Sequence, residues 1–215
     1  MTGDGAVLGA VLRSICDEVR RRQQYLCDLD AVVGDGDHGL TMVRCAQAIE
    51  GQLEEVPNQG VGEALERIGT AIARSAGGAT GPLLGTAFVE AGRALDAAGA
   101  VDPHHIAAML DAALQGIRSR GRANPGDRTM LDALHPAAAS ARRAAAAGSD
   151  VAGVVEAAAL GADEGAQATA TMVARAGRSV RMGERALGHL DPGAVSIAIM
   201  LRAASDRLSM LGTDR

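Results

Sequence analysis

Apolar residues recur every third or fourth position along almost the whole of this chain, and that one regularity excludes most folds. Val7, Leu8, Val11, Leu12, Ile15 and Val19 form the stripe of a helix over 5–27. Further helices are expected over 38–53, 61–75, 81–98, 103–120, 129–147, 151–175 and 192–211. Val61, Leu65, Ile68 and Ile72 mark the third, and Ile106, Met109, Leu110, Ala113, Leu114 and Ile117 the fifth. Asp191-Pro192-Gly193 opens the last with an acceptor at the N-cap and proline in the first turn. No strand competes: Val32-Val33 is too short, and 195–199 belongs to the last helix. The 215 residues show no linker and no repeat, so 1–215 reads as one all-α domain.

Composition agrees and narrows the functions. Alanine fills 45 positions, against one Tyr, one Phe and no Trp, so helices must pack through small side chains. Without rings to stack on bases and with a net charge of −5, neither a nucleic acid nor an anionic membrane is an expected partner. Lysine is absent and all 21 basic residues are Arg, which excludes a Walker A loop, Schiff-base chemistry and the protein-kinase lysine. Cys16, Cys27 and Cys45 form no C-x-x-C pair. On one helix Cys16 and Cys27 would stand roughly 16 Å apart, beyond disulfide reach. With no basic n-region and no apolar run of membrane length, a reducing cytoplasm is expected.

The connections fall into two alternating classes. Those at 54–59, 98–102 and 148–150 are ordinary turns. The others are 28–39 (Asp28, Asp30, Asp35, Asp37 among glycines), 76–81 (Ala-Gly-Gly-Ala-Thr-Gly), 121–128 and 176–193. In an up-and-down helical array alternate connections share one end, so these four should build one composite site there.

Their chemistry is complementary. Crowded carboxylates repel unless exposed, protonated or bound to cations, and an all-oxygen set suits Mg²⁺ or Ca²⁺. An EF-hand fails, because its twelfth position from Asp35 is Ala46. Gly34 to Gly39 also fits G-x-G-x-x-G, but an anionic loop without a βαβ unit does not make a dinucleotide fold. The 76–81 loop sits before a helix and can cradle an anion on backbone N–H groups. Arg128 and Arg178, with Arg181 and Arg185, can add guanidinium forks, and His38 adjoins the acidic loop. Read singly, each has a plainer alternative: a solvated acidic turn, a capped glycine turn, a surface charge. Together they make a phosphoryl-transfer site without a P-loop.

At these loops the chain resembles the L subunit of dihydroxyacetone kinases over nearly its whole length. The resemblance rests on Leu29-Asp30, Gly34-Asp35-Gly36-Asp37-His38-Gly39, Gly77-Gly78-Ala79-Thr80-Gly81-Pro82-Leu83, Ser119-Arg120-Gly121 and Pro125-Gly126-Asp127-Arg128-Thr129-Met130-Leu131-Asp132. It continues through Gly183-Glu184-Arg185-Ala186-Leu187-Gly188-His189 and Asp191-Pro192-Gly193-Ala194. It implies a closed barrel of eight antiparallel amphipathic helices with the nucleotide at one end. It further implies two Mg²⁺ on Asp30, Asp35 and Asp37, bridging the phosphates of ADP or ATP. His38, Gly39, Leu40, Thr41, Ala79, Thr80, Gly121, Met130, Arg178, Asp191, Pro192 and Gly193 would surround the nucleotide, with Arg178 offsetting charge on the transferring group. The ketose, dihydroxyacetone or a related tetrulose, would lie on a separate K subunit. In one form of the family ADP is retained and rephosphorylated by a phosphohistidine protein of the phosphotransferase system, the form expected for a separate L chain. In the other ATP exchanges.

A homodimer is compatible with this reading. A non-catalytic nucleotide-binding regulatory module and a metal-dependent phosphatase are the rival functions. Three departures stand out: Thr41 where many members carry Asn, Ser179-Val180-Arg181 for a usual Ala-Ser-Tyr, and Arg128 for a common Lys.

Overall fold

The stripes fold as helices. In the computed structural model, which describes residues 3–96 and 101–213, the order is α1 (Gly3–Arg21), α2 (Gln23–Val33), α3 (His38–Glu50), α4 (Val61–Ser75), α5 (Thr80–Asp96), α6 (Pro103–Gly121), α7 (Leu131–Ala146), α8 (Val151–Ala168) and α9 (Pro192–Thr213). Short 3-10 turns occupy Val56–Asn58, Thr169–Thr171 and Arg178–Ala186. No strand occurs among the described residues.

Two boundaries depart from expectation where it matters. The first helix breaks at Arg22 (φ −94°, ψ 4°) and resumes as far as Val33, so Asp28 and Asp30 are helical rather than part of a loop. Nothing before Gly34 disfavours a helix, and Leu26, Asp30 and Val33 share its buried face. The acidic loop therefore shrinks to 34–37. The helix expected over 151–175 stops at Ala168, where two β-branched threonines follow. Thr169 Oγ1 donates to the Ala166 carbonyl at 2.6 Å and accepts from the Asp191 amide at 2.9 Å, stitching the end of α8 to the start of α9. Elsewhere the differences are smaller: α3 ends at Glu50 and α7 runs Leu131–Ala146. The end of the helix expected over 81–98, and most of the 98–102 connection, lie outside the described residues.

From α3 onward each helix packs on the next in the chain, α9 returns onto α1, and α1 packs on α3. The ends alternate. α2, α4 and α6 finish, and α3, α5, α7 and α9 begin, around one cavity. The starts of α1, α4, α6 and α8 and the ends of α5 and α9 surround a second, apolar cavity of about 610 Å³. Leu12, Leu65, Leu84, Ile106, Leu110 and Met200 are among its walls.

Glycines set a close contact between α4 and α5. A Cβ on Gly69 of α4 would stand 2.5 Å from the Gly85 carbonyl of α5, and one on Gly85 equally close to the Gly69 carbonyl. Gly92 faces the Gly62 carbonyl at the same distance. The two backbones therefore touch along a seam that leads directly into the 76–79 turn.

Candidate functional site

The four chemically rich connections do meet at one end, around a cavity of about 430 Å³. Asp30, Asp37, His38, Thr41, Ala79, Thr80, Gly121, Met130, Arg178, Asp191, Pro192 and Gly193 all line it. Asp35, Gly39 and Leu40 do not line it; Asp35 stands at its rim, paired with Arg178. Leu40 is 46% exposed and points away, while Gly39 is pressed against the Gln23 carbonyl and Cys27 Sγ, where no side chain fits.

The acidic end is built from a helix terminus and a tight turn. Asp30 is buried in the last turn of α2, and its Oδ2 accepts the amides of Asp37 (3.0 Å) and His38 (3.2 Å) at the start of α3. One carboxylate thus orders the whole 34–37 turn, with Gly36 in the left-handed region at φ 75°. Asp30, Asp35 and Asp37 each offer a carboxylate oxygen, all within 4.8 Å of one another. Hard oxygen donors at that spacing fit a small divalent cation. Arg178 reaches in from the far side, pairing with Asp35 and lying 3.4 Å from Asp37. Partial desolvation raises the Asp35 pKa, but the Arg178 charge and nearby hydrogen bonds outweigh it and hold the carboxyl below its usual range.

The opposite wall is richer in backbone donors. α5 begins at Thr80 with no acidic residue in its first turn; Pro82 has no amide hydrogen and Leu83 donates to the Ala79 carbonyl, which leaves the Thr80 and Gly81 amides to face an anion. Asp191 caps α9 by accepting the Ala194 amide at 2.8 Å. Burial pushes its carboxyl up to about 6, against the lowering effects of that amide and of Arg128. Asp132 ties down the third connection, accepting from Gly126 (2.5 Å) and Thr129 (2.7 Å).

Arg128 is fully buried at φ 63°, a left-handed conformation rare for arginine. Its Nη2 donates to the carbonyls of Ala186 (3.2 Å) and His189 (2.8 Å), while Nε and Nη1 have no partner. The residue therefore anchors the 178–191 segment to the 121–131 connection. His38 is also buried. Desolvation lowers its pKa more than Asp30 and Asp37 raise it, favouring the uncharged ring. Its Nε2 lies 2.8 Å from Ser196 Oγ, one turn into α9. Sequence reasoning passed over Ser196, and also the apolar wall made by Val33, Leu83 and Ile117. A serine four positions after the helix-opening proline was the available signal.

A family model described as the DAK2 domain matches residues 32–206. The chain is 38% identical over 179 residues to the ADP-binding subunit of the PEP-dependent dihydroxyacetone kinase of Escherichia coli (strain K12), covering 83% of this chain and 85% of that one. It is 35% identical to a D-erythrulose kinase of Mycolicibacterium smegmatis, covering 87% of this chain and 33% of the relative. The dihydroxyacetone kinase of C. freundii, solved in complex with AMP-PNP and Mg²⁺, superposes with a TM-score of 0.74 at 29% identity, over 94% of this chain and 34% of that one. The chain thus spans about a third of the length of these last two proteins.

Proposed function

Because this chain belongs to the DAK2-domain family, we propose that it is the nucleotide-binding subunit of a small-ketose kinase. The observation that carries the reading is the convergence of Asp30, Asp35 and Asp37 beside Arg178 at one end of a cavity whose other walls include the starts of α5, α7 and α9. In this reading the ring of helices is a closed eight-helix barrel, with α1 and α2 counted as one kinked member.

The residues divide by role. Asp30, Asp35 and Asp37 would hold two Mg²⁺, and the cations supply charge neutralisation on the phosphates. Amides at the start of α5 and in the 76–79 turn bind phosphate oxygens. Thr80, Gly121, Met130 and the 191–193 cap enclose the nucleoside. Arg178, which pairs with Asp35 and Asp37 here, would be the guanidinium placed to offset charge on the transferring phosphoryl group with cations on those carboxylates. The half-exposed position of Asp37 and the exposure of Val180 support a phosphate end at the rim, open to a ketose held by a separate K subunit. The protein works in the cytoplasm, with ADP retained and a phosphohistidine protein as donor. The ketose is dihydroxyacetone or a tetrulose.

Denaturing freshly purified protein and identifying what is released tests this. Stoichiometric ADP with about two Mg²⁺ is expected. Protein that is empty and binds neither ADP nor ATP with Mg²⁺ supplied refutes the reading.

A further inference from the structure

Ser196 is the one polar side chain of α9 that reaches the His38 ring, and the hydrogen-bond inventory around it decides which ring nitrogen carries the proton. Ser196 Oγ donates its single hydrogen to the Pro192 carbonyl at 2.9 Å. With that hydrogen used, the oxygen can only accept at its 2.8 Å contact with His38 Nε2. The serine oxygen therefore calls for an N–H at Nε2. The buried side-chain atoms without a partner, among the described residues, belong to His105 and Arg128, so His38 Nδ1 is not sealed into the protein. The ring lines the cavity and Nε2 is engaged, which leaves Nδ1 as the nitrogen turned to the cavity.

The geometry points to Ser196 as a positioning residue that fixes His38 in the Nε2–H form, so that the Nδ1 lone pair accepts a hydrogen bond from an O–H group of the bound ligand. A deprotonated phosphate oxygen cannot be that partner, because it too has only lone pairs. Two O–H donors fit: a hydration water of the divalent cation, or a sugar hydroxyl of the nucleotide. This ligand half rests on the nucleotide reading above. The tautomer half does not, since it concerns contacts made within the chain.

The test is a long-range proton–nitrogen correlation spectrum of ¹⁵N-histidine-labelled protein in chelator, with His38→Asn to assign the resonance. Nε2 is the nitrogen coupled to both ring protons. It is expected to show a protonated, pyrrole-like shift in the wild type and an averaged shift in Ser196→Ala. Mg²⁺ alone, Mg²⁺ with pyrophosphate, and Mg²⁺ with ADP are then added, with binding followed independently by calorimetry. A moved Nδ1 resonance with Mg²⁺-pyrophosphate identifies water as the donor; movement with Mg²⁺-ADP alone identifies the sugar. Ser196→Ala is expected to bind Mg²⁺-ADP about five- to tenfold more weakly, the loss of one oriented hydrogen bond. A bare Nε2 in the wild type, or identical spectra for wild type and Ser196→Ala, overturns the positioning role. A Nδ1 resonance that ADP binding leaves in place overturns the ligand half. Calorimetry that detects no Mg²⁺-ADP binding removes the ligand half together with the nucleotide reading, while the wild-type tautomer still decides the role of Ser196.

Discussion

Replacing Gly69 by alanine puts one methyl group into the seam between α4 and α5. Its carbon would lie 2.5 Å from the Gly85 carbonyl and 2.8 Å from the Val89 backbone nitrogen, against about 3.4 Å for ordinary contact. Both neighbours are backbone, so no rotamer change relieves the clash, and the helices must part by about 0.9 Å, the difference between 3.4 and 2.5 Å. A gap of that size forfeits a quarter to a half of each nearby dispersion contact. Overpacking of this kind costs about 2 kcal/mol, and the better helix propensity of alanine returns about 0.75 kcal/mol. The net loss is slightly more than 1 kcal/mol, a fall in Tm of about 2–5 °C for a chain of this size. The same substitution at Gly212, where nothing lies within 4 Å of the added carbon, should raise Tm by about 1–2 °C. Thermal melts of the two variants beside wild type give opposite signs if the seam is as tight as described. A Gly69→Ala protein melting at or above wild type refutes the argument.

Three further outcomes follow from the site. Asp191 has a folded-state pKa raised by burial from 3.8 to about 6, so the folded protein holds that proton more tightly than the unfolded chain. That contribution is full below about pH 4 and is lost as pH rises through 6; the shift of about 2 pK units bounds it at about 3 kcal/mol. Asn caps as well as Asp, so Asp191→Asn should gain on wild type between pH 4 and 6 in urea titrations with chelator present; a gap independent of pH would contradict this. Arg128→Met removes the bonds to the Ala186 and His189 carbonyls, and trypsin should cut within 178–185 several-fold faster, with equal cutting rates telling against the anchor. Asp30→Asn keeps an oxygen for the Asp37 and His38 amides and loses the charge; Mg²⁺ binding measured by calorimetry should weaken by more than about tenfold while the melt stays within a few degrees of wild type.

Much of this is legible in the sequence. Helical periodicity gave the all-α class, and the alternation of plain and rich connections placed the four rich ones at one end, because two consecutive helices return the chain to where it began. What escaped has a common cause. A first helix ending near 27 leaves Asp30 in a loop, whereas its carboxylate accepts the amides at the start of α3 from the last turn of α2. The pairing of Arg178 with Asp35 spans 143 residues, and that of Ser196 with His38 spans 158. No periodicity encodes which side chains meet across a ring of helices. The expected end of α8 runs past Ala168, since sequence periodicity does not show the bond from Asp191 to Thr169 that joins the β-branched threonine to the start of α9.

The first helix starts and the last one finishes beside the apolar cavity, on the side of the molecule away from the carboxylates and Arg178. Anything joined to either terminus therefore departs from the rear and leaves the reactive mouth unobstructed. The same helical unit can then serve as a detachable subunit or as one portion of a longer polypeptide, differing only in how far its reaction partner must travel. For a protein engineer, joining the two termini and reopening the chain at the Gly148-Ser149 turn, which lies at that same rear end, would reorder the helices without disturbing a residue of the site.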